Sequence, residues 1–155
     1  MKKRFDKVYQ FKITLKGIKP PIWRRIQVPE TYTFWDLHVA IQDAMGWEDY
    51  HLHEFEMRHP STGENVRMGT PTEEAEFFGQ EIISEHHQKI ADWFSMENRI
   101  ANYTTPMILE ITGSIRYNWK RYFLETKTLN ILHVSLGKGH AHLRIVEESG
   151  AMKNS

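Results

Sequence analysis

Residues 33–46 constrain the fold most, because they carry an amphipathic helix together with both of its end signals. Thr33 is a suitable N-cap, and Asp36 stands three residues later, where it completes a capping box. Gly46 is a typical C-terminal stop. Between these signals, apolar residues recur at helical spacing: Phe34, Leu37, Ala40, Ile41 and Met45. One main helix is therefore predicted, and the rest of the fold must cover its apolar face.

Two segments before this helix alternate apolar and polar residues with the period of a β-strand. Residues 8–15 have one apolar side, formed by Tyr9, Phe11, Ile13 and Leu15. Gly17 and then Pro20 and Pro21 interrupt the pattern, since proline fixes φ and lacks the amide hydrogen that a strand ladder needs. Residues 22–28 then resume it. A hairpin-like pair of strands is predicted.

The residues after the helix return to the strand pattern. The alternation of residues 51–57 predicts a third strand, one side of which carries His51, His53, Phe55 and Met57. Residues 59–65 have the composition of a turn, and residues 66–68 are expected to pair back. Residues 69–80 are predicted to form an acidic loop.

The following segments complete the predicted fold. Residues 85–95 predict either a helix or a shorter helical turn, with one apolar face made by Ile90, Trp93 and Phe94. Residues 100–103 begin one more strand. The order β-β-α-β-β followed by a short helix predicts the α+β class. We expect a largely antiparallel mixed sheet packed against one main helix, in the manner of an α/β roll.

Composition narrows the function classes. The 155 residues are 40% hydrophobic, which predicts one domain with a core of its own. Lys plus Arg and Asp plus Glu number 20 each, so net charge gives no reason to expect a nucleic acid or an anionic membrane as partner. No apolar run approaches the roughly 20 residues of a membrane span, which predicts a cytoplasmic protein without membrane partners. The absence of cysteine excludes disulfides and thiolate metal sites.

Nine histidines raise the question of a metal site, and His51 and His53 form its candidate pair. Alternate residues of a strand share a face, so both imidazoles can reach one ion if a carboxylate such as Asp36 comes near. The alternative is that they are polar residues of a half-exposed strand or turn. His86 and His87 are expected to be solvated, since adjacent helical residues point apart.

Positive charge is concentrated beside an aromatic residue at Trp23, Arg24 and Arg25. Such a patch can contact phosphates while the tryptophan stacks on a base, which makes these residues the candidate nucleic-acid-binding site. The alternative is a strand with Trp23 and Arg25 on one face and Arg24 on the other, with the arginine stems lying along the sheet. No motif for nucleophilic or acid–base catalysis stands out, so no catalytic residue or cofactor is predicted.

Three segments together resemble the plasmid pRiA4b ORF-3-like family, also called MM3350-like, over residues 5–104. They are KITLKGIKPPIWRRIQVP, TFWDLHVAIQDAMGW and HLHEFEM, which begin at Lys12, Thr33 and His51. The resemblance implies association with plasmids and mobile elements and no settled biochemical activity. It favours a non-enzymatic binding or accessory module, with a metal-dependent enzyme or metal-binding domain as the alternative.

The family is expected to continue with Y-D-F-G-D-x-W-x-H and later with C-P-P-E-D-C-G-G followed by G-Y, and this chain has neither. The neighbouring reading frame permits both. Codons that straddle residues 106–113 permit Y-D-F-G-D-N-W, and residues 133–152 permit a segment containing C-P-P-E-D-C-G-G-V-W-G-Y. A frameshift near residues 102–106 is therefore the favoured hypothesis, and a divergent genuine tail is its rival.

The frameshift hypothesis divides the chain into the N-terminal part of the family domain, residues 1–104, and an anomalous out-of-frame segment, residues 105–155. The strand-like alternation of residues 107–112 is then incidental. Residues 107–136 are expected to be loosely packed and residues 137–155 frayed. His140 and His142 are not counted as candidate metal ligands, because they lie in the out-of-frame segment. In relatives that keep the motifs, the resemblance implies that the histidine and cysteines can hold zinc.

Overall fold

The computed structural model describes residues 7–105, 107–117, 136–137 and 140–141. The helices are α1 (Phe34–Met45), α2 (Glu73–Phe77) and α3 (Ile90–Trp93). The strands are β1 (Lys7–Leu15), β2 (Trp23–Pro29), β3 (Glu54–Arg58), β4 (Asn65–Gly69), β5 (Ile82–Ser84), β6 (Ile100–Thr104), β7 (Ile108–Tyr117), β8 (Leu136–Gly137) and β9 (His140–Ala141).

Seven of the strands form one mixed sheet in the order β2-β1-β7-β6-β3-β4-β5. Its neighbours are antiparallel except for β4 and β5, which run parallel. The short strands β8 and β9 pair antiparallel with each other. The predicted α+β class, with a largely antiparallel mixed sheet and one main helix, is confirmed. No helix in the described part of the chain is long and apolar enough to cross a membrane.

Helix α1 has both of the predicted end signals. The Thr33 side chain accepts a hydrogen bond from the Asp36 amide at 3.2 Å, and the Asp36 carboxylate accepts from the Thr33 amide at 3.0 Å. Gly46 closes the helix in the left-handed region at φ 71°. The buried face includes two polar residues, His38 and Gln42, beside its apolar ones. This face therefore carries polar groups into the core.

Aromatic rings join α1, α3 and the sheet in one core. The Phe34 ring lies 5.2 Å from that of Phe55 and 5.9 Å from that of Phe94, measured between centroids. The predicted apolar face of residues 85–95 is buried, although only four residues of it, α3, are helical. Such packing fixes the position of α1 relative to β3, and hence the position of the polar groups on both elements.

Strand β7 lies between β1 and β6, in the interior of the sheet. Leu109 and Ile111 are fully buried, and the facing residues in β1 are Leu15 and Ile13. The structure thus differs from the expectation that residues 107–112 are only incidentally strand-like and loosely packed. Alternate apolar residues suffice to fill this strand position, whichever reading frame produced them. The expectations for residues 118–135 and for most of residues 137–155 lie outside the described residues.

Other boundaries differ from the prediction in the middle of the chain. The third strand begins at Glu54, so His51 lies in a bend before it. The predicted acidic loop contains α2, whose N-cap Thr72 accepts from the Ala75 amide at 3.2 Å. Strand β5 is an addition that periodicity missed, because three residues are too few to show a period.

Candidate metal centre

Three side chains that can ligate a metal converge between α1 and β3: His38, Asp49 and His53. Their ligand atoms all lie within 4.8 Å of one another. His38 projects from the buried face of α1, His53 immediately precedes β3, and Asp49 stands in the loop that follows α1. The Asp49 backbone has φ 57°, and its amide donates to the Gln42 side chain at 3.1 Å. Elements distant in sequence thus place two imidazoles beside one carboxylate.

One imidazole is anchored by a carboxylate behind it. Nε2 of His53 lies 2.8 and 2.7 Å from the two carboxylate oxygens of Glu85, a residue with no exposed surface. The His53 side chain is itself only 7% exposed. With Nε2 held by Glu85, the remaining ring nitrogen of His53, Nδ1, is the one available to a metal. A ligating histidine whose other nitrogen donates to a carboxylate is the usual arrangement of metal centres.

The other imidazole is held by a tyrosine. Nδ1 of His38 lies 2.7 Å from the hydroxyl oxygen of Tyr103, which also accepts from the Gln42 side-chain amide at 2.9 Å. If His38 carries its proton on Nδ1, the Tyr103 oxygen accepts two hydrogen bonds, as its two lone pairs allow. Nε2 of His38 then presents a lone pair. Burial raises the pKa of Tyr103 far above its usual range, so the hydroxyl stays protonated.

Nε2 of His38 is buried and has no hydrogen-bond partner among the described residues. Oδ1 of Asp49 lies 3.1 Å away, but in a direction that does not satisfy hydrogen-bond geometry. Burial lowers the pKa of His38, and the neighbouring His53 lowers it further, while Asp49 opposes part of the effect. The ring is therefore held in its neutral form, which is the form that binds metals.

The two imidazole rings lie face to face, with centroids 3.4 Å apart and planes inclined by 9°. A nitrogen lone pair lies in the plane of its ring, so nearly parallel rings cannot both direct a lone pair at one ion. Coordination by both residues requires one ring to turn out of the stack. The Asp49 side chain is 42% exposed, which makes it the most exposed of the three candidate ligands.

Of the predicted metal ligands, the structure brings His53 into this cluster and leaves His51 outside it. His51 is exposed in the bend before β3. Asp36, the carboxylate suggested as a third ligand, is instead engaged in the capping box of α1. His86 and His87 are exposed as predicted, and the His86 ring stacks on Trp35 with centroids 4.6 Å apart. His140 lies in β9, and His142 lies outside the described residues.

Three residues of the site were not predicted from the sequence: His38, Asp49 and Glu85. A signal for His38 was present, because it stands four residues after Phe34 and three before Ile41, on the same helical stripe. A histidine on an apolar stripe faces the core, where it needs a partner. No comparable pattern marks Asp49 or Glu85, which are brought to the cluster by loops.

The predicted nucleic-acid-binding residues Trp23, Arg24 and Arg25 lie on β2, an edge strand four positions from β3 in the sheet. The Arg25 guanidinium and the Lys12 ammonium lie 5.2 and 4.8 Å from the centre of the Trp23 ring. Arg24 donates to the Trp23 carbonyl oxygen at 3.1 Å. Trp23 and Arg25 thus share one face, as the alternation predicted, and Lys12 of β1 joins them there.

Comparisons with known proteins agree with the sequence resemblance. A family model described as plasmid pRiA4b ORF-3-like protein matches residues 7–105. Uncharacterized protein y4hQ of Sinorhizobium fredii is 42% identical over 67 residues, which are 43% of this chain and 31% of that protein. Protein of unknown function MM3350 from Methanosarcina mazei Go1 has a crystal structure that matches with a TM-score of 0.69 and 45% identity. That match covers 76% of this chain and 65% of MM3350.

Proposed function

The chain belongs to the plasmid pRiA4b ORF-3-like family, and we propose that it binds one divalent transition-metal ion, best zinc, through His38, Asp49 and His53. The observation that carries the proposal is the buried Nε2 of His38, which has no hydrogen-bond partner among the described residues and lies beside two other potential ligands. An unpaired buried nitrogen costs about 1–3 kcal/mol, and coordination to a metal removes that cost.

The donor set favours zinc over the hard cations. Two imidazole nitrogens and one carboxylate oxygen match the ligands of many zinc sites, whereas calcium and magnesium prefer oxygen ligands. The surroundings fit as well, since Glu85 and Tyr103 each hold the second nitrogen of a candidate ligand. When bound, the ion would supply Lewis acidity at this site. Glu85 and Tyr103 hold the two imidazoles, one of which turns out of the stack to coordinate it.

The proposal is tested by zinc binding to the full chain. The protein is treated with chelator, and isothermal titration calorimetry then measures the stoichiometry of zinc binding. We expect one equivalent of zinc to bind per chain. We also expect elemental analysis of untreated protein to show zinc or manganese. Binding that remains after His51, His86 and His87 are all changed to alanine supports the buried cluster. Loss of binding in that triple variant would assign the metal to exposed histidines instead.

Glu85 is expected to tune the affinity of this site. Glu85→Gln keeps the size of the side chain but replaces one of the two oxygens beside Nε2 of His53 with an amide donor. Loss of such a partner typically lowers metal affinity by about 10- to 100-fold. Competition with a fluorescent zinc chelator measures this change. Glu81→Gln, at an exposed neighbouring position, is the matched control and is expected to bind as the parent does.

A nucleic-acid contact through Trp23, Arg24 and Arg25 is the second candidate function. The observation in its favour is that Lys12 and Arg25 gather positive charge around the Trp23 ring at the sheet edge. We expect binding to single-stranded DNA or RNA that weakens as salt rises, and that falls when Arg24 and Arg25 are both changed to alanine. Fluorescence anisotropy with a labelled oligonucleotide at two salt concentrations measures the affinity. An affinity that does not change with salt would contradict this candidate function.

A frameshift remains our explanation for the missing C-terminal family motifs. The family model stops matching at residue 105, one residue before the alternate frame permits Y-D-F-G-D-N-W. We expect the gene, sequenced through the codons for residues 102–152, to encode that motif and C-P-P-E-D-C-G-G in the neighbouring frame. Intact mass of the expressed protein tells which frame is translated. An alternate frame without these motifs would establish a genuine divergent tail.

A further inference from the structure

The side chain of Gln42 joins two of the candidate metal ligands. Its Oε1 accepts from the Asp49 amide at 3.1 Å, and its Nε2 donates to the Tyr103 hydroxyl at 2.9 Å. That hydroxyl oxygen lies 2.7 Å from Nδ1 of His38. We propose that Gln42 couples ligation by His38 to the position of the loop that carries Asp49. The inference rests on the proposed metal site and concerns the regulation of that site.

The orientation of the Gln42 side-chain amide follows from its two partners. A backbone N–H can only donate, so the Gln42 atom that faces the Asp49 amide must be the oxygen Oε1. The nitrogen Nε2 therefore faces Tyr103 and donates to its hydroxyl oxygen. Gln42 is 6% exposed and Tyr103 has no exposed surface, so both groups depend on partners within the protein.

The Tyr103 hydroxyl proton then has one acceptor within hydrogen-bond distance among the described residues, Nδ1 of His38. A neutral imidazole that accepts at Nδ1 carries its own proton on Nε2. That proton lies on the side of Asp49, whose Oδ1 is 3.1 Å from Nε2 and attracts it. With the proton on Nδ1 instead, the Nε2 lone pair would face a carboxylate. The metal-free protein is therefore expected to hold the Nε2–H tautomer of His38.

Ligation by Nε2 of His38 reverses this chain of hydrogen bonds. Nε2 must then present its lone pair, so the proton of the neutral ring lies on Nδ1 and is donated to the Tyr103 oxygen. The ring loses a proton to water at one nitrogen and gains one at the other, so its charge does not change. The Tyr103 hydroxyl proton now needs another acceptor, because a buried donor without a partner is costly.

Gln42 supplies that acceptor if its side-chain amide turns over. Oε1 then accepts from Tyr103, and Nε2 faces the Asp49 amide, so that two donors oppose each other. The Asp49 amide has no other hydrogen-bond partner among the described residues, so the loop that follows α1 can move away. Ligation by His38 thus releases Asp49 from Gln42 and lets its carboxylate approach the ion.

Amide hydrogen exchange of the full chain, with and without one equivalent of zinc, measures this coupling. Gln42→Glu is the test variant, because a carboxylate accepts from both the Asp49 amide and the Tyr103 hydroxyl without turning. Without metal, we expect the Asp49 amide to exchange at rates within about threefold in parent and variant, since both keep its hydrogen bond. With zinc, we expect exchange about tenfold faster in the parent, the factor that one lost hydrogen bond gives.

The tautomer of His38 is a second readout, which a merely structural role of Gln42 would not change. Heteronuclear NMR spectra of the imidazole nitrogens show which one carries the proton, and His38→Gln assigns the signals. We expect the proton on Nε2 in the metal-free parent. In metal-free Gln42→Glu we expect it on Nδ1, because the carboxylate takes the Tyr103 proton and leaves the hydroxyl oxygen to accept from His38.

Gln42→Met lacks both hydrogen bonds and serves as a second variant that adds no charge. We expect its Asp49 amide to exchange about tenfold faster than that of the parent without metal. An Asp49 amide as protected as in the parent would show that Gln42 does not hold the loop, and would overturn the coupling.

The zinc-loaded samples distinguish the coupling from the metal site itself. Zinc binding with equal Asp49 exchange in the parent and Gln42→Glu overturns the coupling and leaves the metal site standing. An Nδ1–H tautomer in the metal-free parent does the same. Failure to bind zinc overturns the metal site, and the coupling with it.

Discussion

Asp49→Asn is expected to weaken zinc binding by at least about 100-fold, because loss of a residue that only supports a ligand already costs 10- to 100-fold. The change removes the charge and one ligating oxygen and alters little else. Asn tolerates the left-handed backbone that Asp49 adopts at φ 57°, so the loop is expected to keep its shape. The side chain is 42% exposed, which limits any effect on folding. Isothermal titration calorimetry with zinc measures the change.

Glu48→Gln is the matched control for this prediction. Glu48 is the exposed neighbour of Asp49, and its substitution removes the same negative charge. Glu48 is not one of the three clustered residues. We expect its zinc affinity to equal that of the parent within a factor of about three, since exposed charges are screened. Equal losses in both variants would show that general electrostatics, and not ligation by Asp49, governs binding.

Gly113→Val is expected to lower the free energy of unfolding by about 3 kcal/mol, the upper end of the usual cost of overpacking a core. A Cβ at Gly113 would lie 2.9 Å from Cδ1 of Phe94 and 3.0 Å from Cε1 of Phe11. Both rings are buried and stand edge to face with centroids 4.8 Å apart, so neither can withdraw easily. Urea denaturation followed by tryptophan fluorescence measures the change.

Thr112→Val provides the comparison on the other face of the same strand. Thr112 is only partly buried, and its substitution is expected to change stability by no more than about 0.5 kcal/mol. A Gly113→Val protein as stable as the parent would mean that β7 is not packed on Phe11 and Phe94 in solution. Residues 107–112 would then be loosely packed, as the frameshift hypothesis expects.

Local signals predicted the fold up to the middle of the chain. The ends of α1 follow from Thr33, Asp36 and Gly46, whose side-chain or backbone chemistry acts within one turn of the helix. Strand β1 follows from a clean alternation in which every second residue is apolar. The position of β7 between β1 and β6 could not be predicted in this way, because periodicity shows that a strand exists and not which strands it joins.

The candidate site was predictable only in part, for a related reason. His53 stood out because it belongs to a short His-x-His pattern, but its companion in that pattern, His51, lies outside the cluster. The actual companions come from α1 and from two loops, so their proximity depends on how Phe34 and Phe55 pack the helix against the sheet. The spacing of residues along the sequence does not predict such tertiary contacts.

The most direct measurement is anomalous X-ray diffraction at the zinc absorption edge from crystals of the full chain grown with one equivalent of zinc. We expect one strong peak about 2.0–2.2 Å from a nitrogen of His38, a nitrogen of His53 and a carboxylate oxygen of Asp49. We also expect one of the two stacked imidazoles to have turned. A peak only at the exposed His51, His86 or His87, with the His38–His53 stack intact, would contradict the proposed metal site.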